Sequence, residues 1–195
     1  MSKRAQFLAL FAVLAAPIAM GNPALGAECQ GAKFPDSATA GGTNLVLNGL
    51  GIRKATMLKV KVYVAGLYLP AKSSDPGQIL SAGQPWHYVL HFVRDVDASD
   101  IREAYEEGFK KAAGDKVAGL QQRIDSMNAR ITDFKEGQEL SFTNDPAKGV
   151  IMDVNGAGGP PIEGADFASA FLKINIGPEP PNEDLKSGLL GGKCE

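Results

Sequence analysis

The stretch Leu47–Leu69, LNGLGIRKATMLKVKVYVAGLYL, constrains the fold more than any other part of the chain, because its second half alternates with a period of two. Successive side chains of an extended strand point to opposite faces. Leu58, Val60, Val62 and Val64 therefore share one side, which reads as core, and Lys59, Lys61, Tyr63 and Ala65 share the other. The second side mixes cations, a phenol and small residues, as a sheet face does when it meets a ligand rather than bulk water. Arg53 stands at the head of the hairpin that leads into this strand. The stretch reads as a binding surface built on β structure.

Around it the chain continues in the same style. A polar, glycine-rich lead-in runs from Cys29 to Thr43, Asn44–Leu47 reads as a first short strand, and Asn48-Gly49 as a turn. The long strand Met57–Leu69 stops at Pro70, and Ser73-Ser74-Asp75-Pro76-Gly77 reads as a loop. Trp86–Val93 alternates again, with Trp86, Tyr88, Leu90 and Phe92 opposite His87, Val89, His91 and Val93. The period then changes. Ile101, Ala104, Tyr105, Gly108, Phe109 and Ala112 fall at helical spacing, with Asp97 or Ser99 as N-cap, and Val117, Leu120, Ile124, Met127 and Ile131 mark a second amphipathic helix. Gln138–Thr143 and Val150–Val154 return to strand, and Asn155-Gly156 opens a turn rich in glycine and proline. Short helices over 165–173 and 182–190 close the chain around Pro178, Pro180 and Pro181. Strands, a block of helices, strands, then helices predict an α+β fold, a largely antiparallel sheet with helices on one face, rather than a doubly wound sheet.

The N-terminus places Lys3 and Arg4 before an apolar run, Phe7–Met20, and the small residues Ala24-Leu25-Gly26-Ala27. That order predicts a signal peptide over 1–27, cleaved after Gly26 or Ala27, and a periplasmic or secreted product. The run is too short for a usual membrane span and holds Pro17, and no later segment is long and apolar enough to cross. Glu28 before Cys29 argues against lipid attachment. Without its two basic leader residues the chain moves from a formal charge of −2 to −4, which points away from nucleic acid. Residues 28–195 suffice for one domain. Cys29 and Cys194 lie at its two ends, so an oxidising compartment favours a disulfide between them; free or intermolecular thiols are the alternative.

Several constellations carry no chemistry. His87 and His91 lie about 13 Å apart along a strand, too far to share an ion, and no metal or cofactor is expected. Asp95, Asp97 and Asp100 precede a helix and lack the glycine and distal glutamate of a calcium loop. Gly49-Leu-Gly51 has no third glycine and no helix after it, so no dinucleotide fold is indicated. Arg94 and Arg102 either line a cleft or pair with Asp95, Glu103 or Glu106. No nucleophile is set in a triad motif, and no catalytic residue is assigned.

Four stretches together resemble the chalcone isomerase-like family, in its exported bacterial branch: Leu47–Arg53, Lys61–Leu69, Phe92-Val-Arg-Asp95 running into Ile101–Phe109, and Asp184–Gly191. The resemblance covers nearly all of the chain after the leader. It implies an open-faced β-sandwich, a large antiparallel sheet covered on one face by helices, with a ligand cleft between them. In the family's plant enzymes an arginine, a threonine, a tyrosine and a late threonine or serine serve a cyclisation. Here Arg53 matches the arginine, while Tyr63, Asp97 and Ile174 fall at the other positions, and these departures weigh against cyclisation of a chalcone. The family's fatty-acid-binding members keep the arginine and set a tyrosine on the facing strand, a pair that Arg53 and Tyr63 resemble. A guanidinium meets a carboxylate through parallel N–H donors and a phenol adds another, with Lys61 as a source of positive potential.

The expectation is thus an exported, non-catalytic protein that binds a fatty acid or similar amphiphilic carboxylate, with Arg53, Tyr63 and Lys61 as ligand-binding residues. An isomerase, acting as an intramolecular lyase on an enone with Arg53 as stabiliser, is the alternative, and an envelope protein acting through a protein partner a third. From the residues alone Arg53 also fits a surface or structurally paired arginine, Tyr63 a core aromatic, and Lys59 and Lys61 solvated strand positions.

Overall fold

The period-two segments pair into one antiparallel sheet. The computed structural model describes residues 26–81 and 83–195, so the expected leader, apart from Gly26 and Ala27, lies outside the described residues. Strands β1 (Glu28–Cys29) and β2 (Ala32–Lys33) form a small hairpin of their own. The large sheet contains β3 (Ser37–Ala40), β4 (Thr43–Ala55), β5 (Val60–Leu69) and β6 (Trp86–Phe92). It continues through β7 (Glu139–Asp145), β8 (Gly149–Val154) and β9 (Ala157–Ile162), each strand antiparallel to the next and in chain order. Helices α1 (Pro76–Ser81), α2 (Ala98–Ala113), α3 (Gln121–Asn128), α4 (Ala165–Ile176) and α5 (Glu183–Leu189) complete the α+β fold.

The faces of the sheet carry separate cores. On one, Ala65, Leu67 and Leu69 of β5 and Trp86, Tyr88, Leu90 and Phe92 of β6 pack under the helices. Phe171 of α4 is the hub, stacked on Trp86 at 5.5 Å between ring centres and meeting Phe142 at 4.3 Å. α4 is apolar nearly all round because it is the most enclosed helix. On the other face Val64 and Tyr68 pack with Leu45, Leu50, Ile52 and Phe34. The polar, glycine-rich lead-in forms β1, β2 and β3 and contributes Phe34 to a second core.

Other boundaries move for identifiable reasons. Asn48-Gly49 is a bulge inside β4 rather than a turn: the side chain of Asn48 accepts from the Ser73 N–H (2.8 Å) and donates to the carbonyls of Ser73 (3.0 Å) and Leu189 (2.7 Å). The long strand starts at Val60, because residues 56–59 form the turn, with Thr56 and Lys59 at φ 62° and 51° and Lys59 N–H donating to Thr56 O. Beyond Asn155-Gly156, whose positive φ values suit a two-residue hairpin, the Gly-Gly-Pro-Pro segment is the edge strand β9, where proline is tolerated. The second amphipathic helix is a 3₁₀ turn over Gly114–Leu120 followed by α3, which ends before Ile131.

β3 covers only Thr43–Val46 of β4, and the rest of that strand's outer edge is closed by α5. Gly49, Gly51 and Gly188 make this contact possible: a Cβ on Gly51 would stand 2.2 Å from the Leu185 carbonyl oxygen, and one on Gly188 would stand 2.2 Å from that of Leu50. Asn182 completes the edge, accepting from the Lys54 N–H (3.2 Å) and donating to Ile52 O (3.0 Å). Cys29 and Cys194 are joined in a disulfide, which ties the tail after α5 to the first strand across 165 residues of sequence. The loop-entropy relation gives a closure of this length at most about 5 kcal/mol.

Two outcomes follow from this packing. Gly51→Ala forces backbone against backbone and is expected to destabilise by about 1–3 kcal/mol, read as a melting temperature lower by roughly 2–4 °C per kcal/mol. His87, on the outer face beside Tyr68 and bonded to Thr143 Oγ1 at 2.8 Å, has its pKa brought down by burial from 6.5 to about 4. The unfolded chain then binds the extra proton first, so stability is lost as pH falls from 6.5 towards 4, by at most about 3 kcal/mol. Urea denaturation between those limits should show a flatter profile for His87→Gln than for the wild type.

Candidate functional site

Arg53 and Tyr63 are cross-strand partners in the β4–β5 ladder. Between Arg53–Tyr63 and the next pair, Lys54–Lys61, β5 carries an extra residue, Val62. Such a bulge breaks the alternation. Tyr63 keeps to the helix-facing side, whereas the Lys61 ammonium reaches Gln30 Oε1 at 2.5 Å, towards the β1–β2 hairpin. Lys61 is therefore corrected: it does not line the cleft with Arg53 and Tyr63, since strict parity fails at Val62. Val60 and Val62, expected to be core, line the cleft instead, and Leu58 is exposed.

The cleft encloses about 570 Å³ between β4–β6 and helices α2 and α4, within the roughly 300–1,000 Å³ range of small-molecule sites. Its sheet wall is Arg53, Val62, Tyr63, Leu90 and Phe92. Ile101, Ala104 and Tyr105 of α2 and Ile174 and Asn175 of α4 form the opposite wall, with Pro180 and Pro181 at the lip. Gly108 lets the two helices close, as its Cβ would stand 2.7 Å from Ile174 Cγ2.

Arg53 is half-buried here, and its Nη1 donates to the carbonyls of Lys54 (2.5 Å) and Pro181 (3.2 Å). Among the described residues it has no carboxylate within 4.0 Å. Its other guanidinium nitrogens make no protein hydrogen bond among those residues. Tyr63 meets Phe92 edge-on at 5.9 Å. Burial raises the pKa of its phenol, with the Arg53 guanidinium and then the Tyr88 hydroxyl acting in the opposite direction. Burial also raises Tyr88 and Tyr105 well above the ordinary value. All three phenols are thus protonated donors at neutral pH. Tyr88 spends its proton on Asn175 Oδ1 at 3.0 Å, and Asn175 Nδ2 donates to Phe171 O.

The remaining charges sit at the rim. Asp95 pairs with Lys135 (2.8 Å) and Glu107 with Lys111 (2.5 Å), while Asp97, Asp100, Glu179 and Arg94 also border the opening. Asp97 holds the N-cap position of α2, yet the cap bond to the Ala98 N–H comes from Asp133 Oδ1 at 2.8 Å. Arg102 leaves the cleft to close the end of α3, donating to the carbonyls of Asn128 and Ile131. No group of three or more potential metal ligands occurs among the described residues. Asn175, Tyr88 and Tyr105 are not among the residues expected at the site from the sequence. Their signals were available: an amide between Ile174 and Ile176 on an apolar helix, and phenols on core-facing strand and helix positions.

The fold is an antiparallel sheet whose helix layer leaves a cleft beside an arginine that has no ion-pair partner among the described residues. The chain belongs to the chalcone isomerase-like family, whose sequence profile matches residues 26–191. A solved structure of a fatty-acid binding protein from Arabidopsis thaliana has the same fold, with a TM-score of 0.68 at 16% identity over 82% of this chain and 92% of that one. A search of curated proteins finds no matching sequence.

The polar floor can be tested by stability. Asn175→Leu leaves the buried Tyr88 hydroxyl without its acceptor and is expected to cost about 1–3 kcal/mol. Adding Tyr88→Phe should recover part of that loss in thermal denaturation, because the orphaned group is removed.

Proposed function

We propose that the protein binds a fatty acid or similar amphiphilic carboxylate in this cleft, without turnover. One observation carries the reading: Arg53 faces the cleft with no carboxylate within 4.0 Å among the described residues, the acids of the lining standing farther off at the rim. A half-buried guanidinium is expensive to leave unpaired, and an anionic ligand supplies the missing partner. The head group would take the free N–H donors of Arg53 and the hydroxyl of Tyr63, and the tail would lie against Val62, Leu90, Phe92, Ile101 and Ile174. The fold shared with a fatty-acid binding protein agrees with this reading. Export through the leader at 1–27 completes the proposal, and a disulfide between Cys29 and Cys194 suits an oxidising compartment.

Binding is preferred to isomerisation on the cleft's acid–base character. General acid–base work needs a group tuned near the operating pH. The phenols Tyr63 and Tyr105 are pushed up and Glu107 is held low by Lys111, so these move away from neutrality. Calorimetric titration of delipidated protein with laurate, palmitate and oleate tests the proposal. Arg53→Ala is expected to weaken binding at least about tenfold, since hydrogen bonds to charged groups are worth about 1.5–3 kcal/mol. Tyr63→Phe should weaken it less, by about 0.5–1.5 kcal/mol for a neutral donor. Undetectable binding by the wild type, or equal affinity in Arg53→Ala, would sink the reading.

A further inference from the structure

The tip of the β4–β5 hairpin is the least buried apolar feature of the described residues. Met57 is 99% and Leu58 86% exposed, and they are the large hydrophobic side chains that stand out in solvent. Their display is built in: Thr56 and Lys59 hold positive φ on either side, and the Lys59 N–H closes the turn onto Thr56 O. The charge along the two strands is one-sided, and Asp184 of α5 is an acid that the fold brings beside them. From Asn44 to Ser74 the chain has five basic residues and no acid, although the protein as a whole is acidic. Lys54 is taken by Asp184, but Lys59 and Lys61 enter no ion pair among the described residues. Thr56 and Val60, immediately beside the tip, line the cleft.

We propose that this tip docks on an anionic lipid surface, with Met57 and Leu58 entering the interface and Lys59 and Lys61 meeting the head groups. An exposed apolar pair flanked by lysines has the two attractions that hold a peripheral protein on a membrane, burial of apolar side chains and attraction to anionic lipid. Neither suffices alone, which makes the contact reversible. The acids of the rim, Asp97 and Asp100 on α2 and Glu179 near the lip, lie on other elements and restrict the approach to the hairpin side. Docking so oriented sets the cleft opening beside the bilayer. Docking itself is independent of the ligand; delivery of an amphiphile from the bilayer to Arg53 rests on the function proposed above.

The test is co-sedimentation of the protein purified from its producing cell, its N-terminus fixed by mass spectrometry so that an uncleaved leader is not the membrane-binding element. Vesicles of phosphatidylcholine alone and mixed with phosphatidylglycerol are compared at low and raised salt. The wild type should bind the anionic vesicles and be released by salt. Met57→Asp with Leu58→Asp should lower partitioning at least about tenfold, with an unchanged melting temperature and unchanged oleate titration. Lys59→Glu with Lys61→Glu should abolish the preference for phosphatidylglycerol. The inference is overturned if the wild type ignores anionic vesicles at low salt, or if the tip variant binds them as the wild type does. It is also overturned if the tip instead drives self-association in sedimentation velocity without lipid, which would assign it to a second copy of the chain. Vesicle binding without oleate binding would remove the fatty-acid reading and leave the docking intact.

Discussion

The closure of β4 by α5 decides where the cleft can be. β4 is paired with β5 from Val46 to Ala55 but with β3 only over Thr43–Val46, so the outer-edge N–H and C=O groups beyond Val46 need partners that no strand supplies. The C-terminal segment covers them with its backbone packed against that of β4, and the Asn182 side chain bonds the Lys54 N–H and the Ile52 carbonyl. Gly49, Gly51 and Gly188 remove the side chains that would keep it away, and Asn48 and Asn182 bond in place of a ladder. The same contact puts the Pro181 carbonyl over Arg53 and so helps hold the guanidinium at the cleft. Site and edge are thus one construction, and the disulfide fastens its far end to β1.

Under the helices, aromatic packing sets the floor of the cleft. Phe171 contacts Trp86, Tyr88, Tyr105, Phe109 and Phe142, so α4 is locked to the sheet and to α2 through one residue. Asn175 follows one turn later and turns a packing surface into a polar one, accepting from Tyr88 at the depth where a phenol is otherwise hard to satisfy. The void lies beside this floor, bordered by Gly108 and Ile174, where the two helices approach closely.

Much of this was legible from residue order. Alternation in Trp86–Val93 and helical spacing from Ile101 to Ala112 gave the sheet, its helix layer and the class, since periodicity is a local property. Long-range pairing was not legible. Asn48-Gly49 has the composition of a turn and becomes a bulge because Ser73 and Leu189 occupy its amide from elsewhere in the chain. Gly49-Leu-Gly51 lacks the third glycine of a dinucleotide fingerprint, but its purpose lies in α5, more than 130 residues away. Lys61 shows the sharpest limit. A period-two rule places it beside Tyr63, and one inserted residue, Val62, sends it to Gln30.

The electrostatics of the opening bear on how an anion would reach Arg53. Asp95, Asp97, Asp100, Glu107 and Glu179 border the cleft against Arg53, Arg94 and Lys111, so the rim is net acidic. At physiological salt, charges act over about 8 Å, which is enough for this rim to repel a free carboxylate at the entrance. Close to Arg53 the balance reverses, because Asp95 and Glu107 are occupied by Lys135 and Lys111 and the guanidinium has carbonyls, not carboxylates, as partners. A site repulsive at range and attractive at contact is poorly suited to harvesting dilute anions from water. It is better suited to a ligand presented at the hairpin side, where the nearby acid Asp184 is paired with Lys54 and Val60 and Val62 offer an apolar path inward. On the proposed reading, the field therefore selects the route of entry and Arg53 selects the head group.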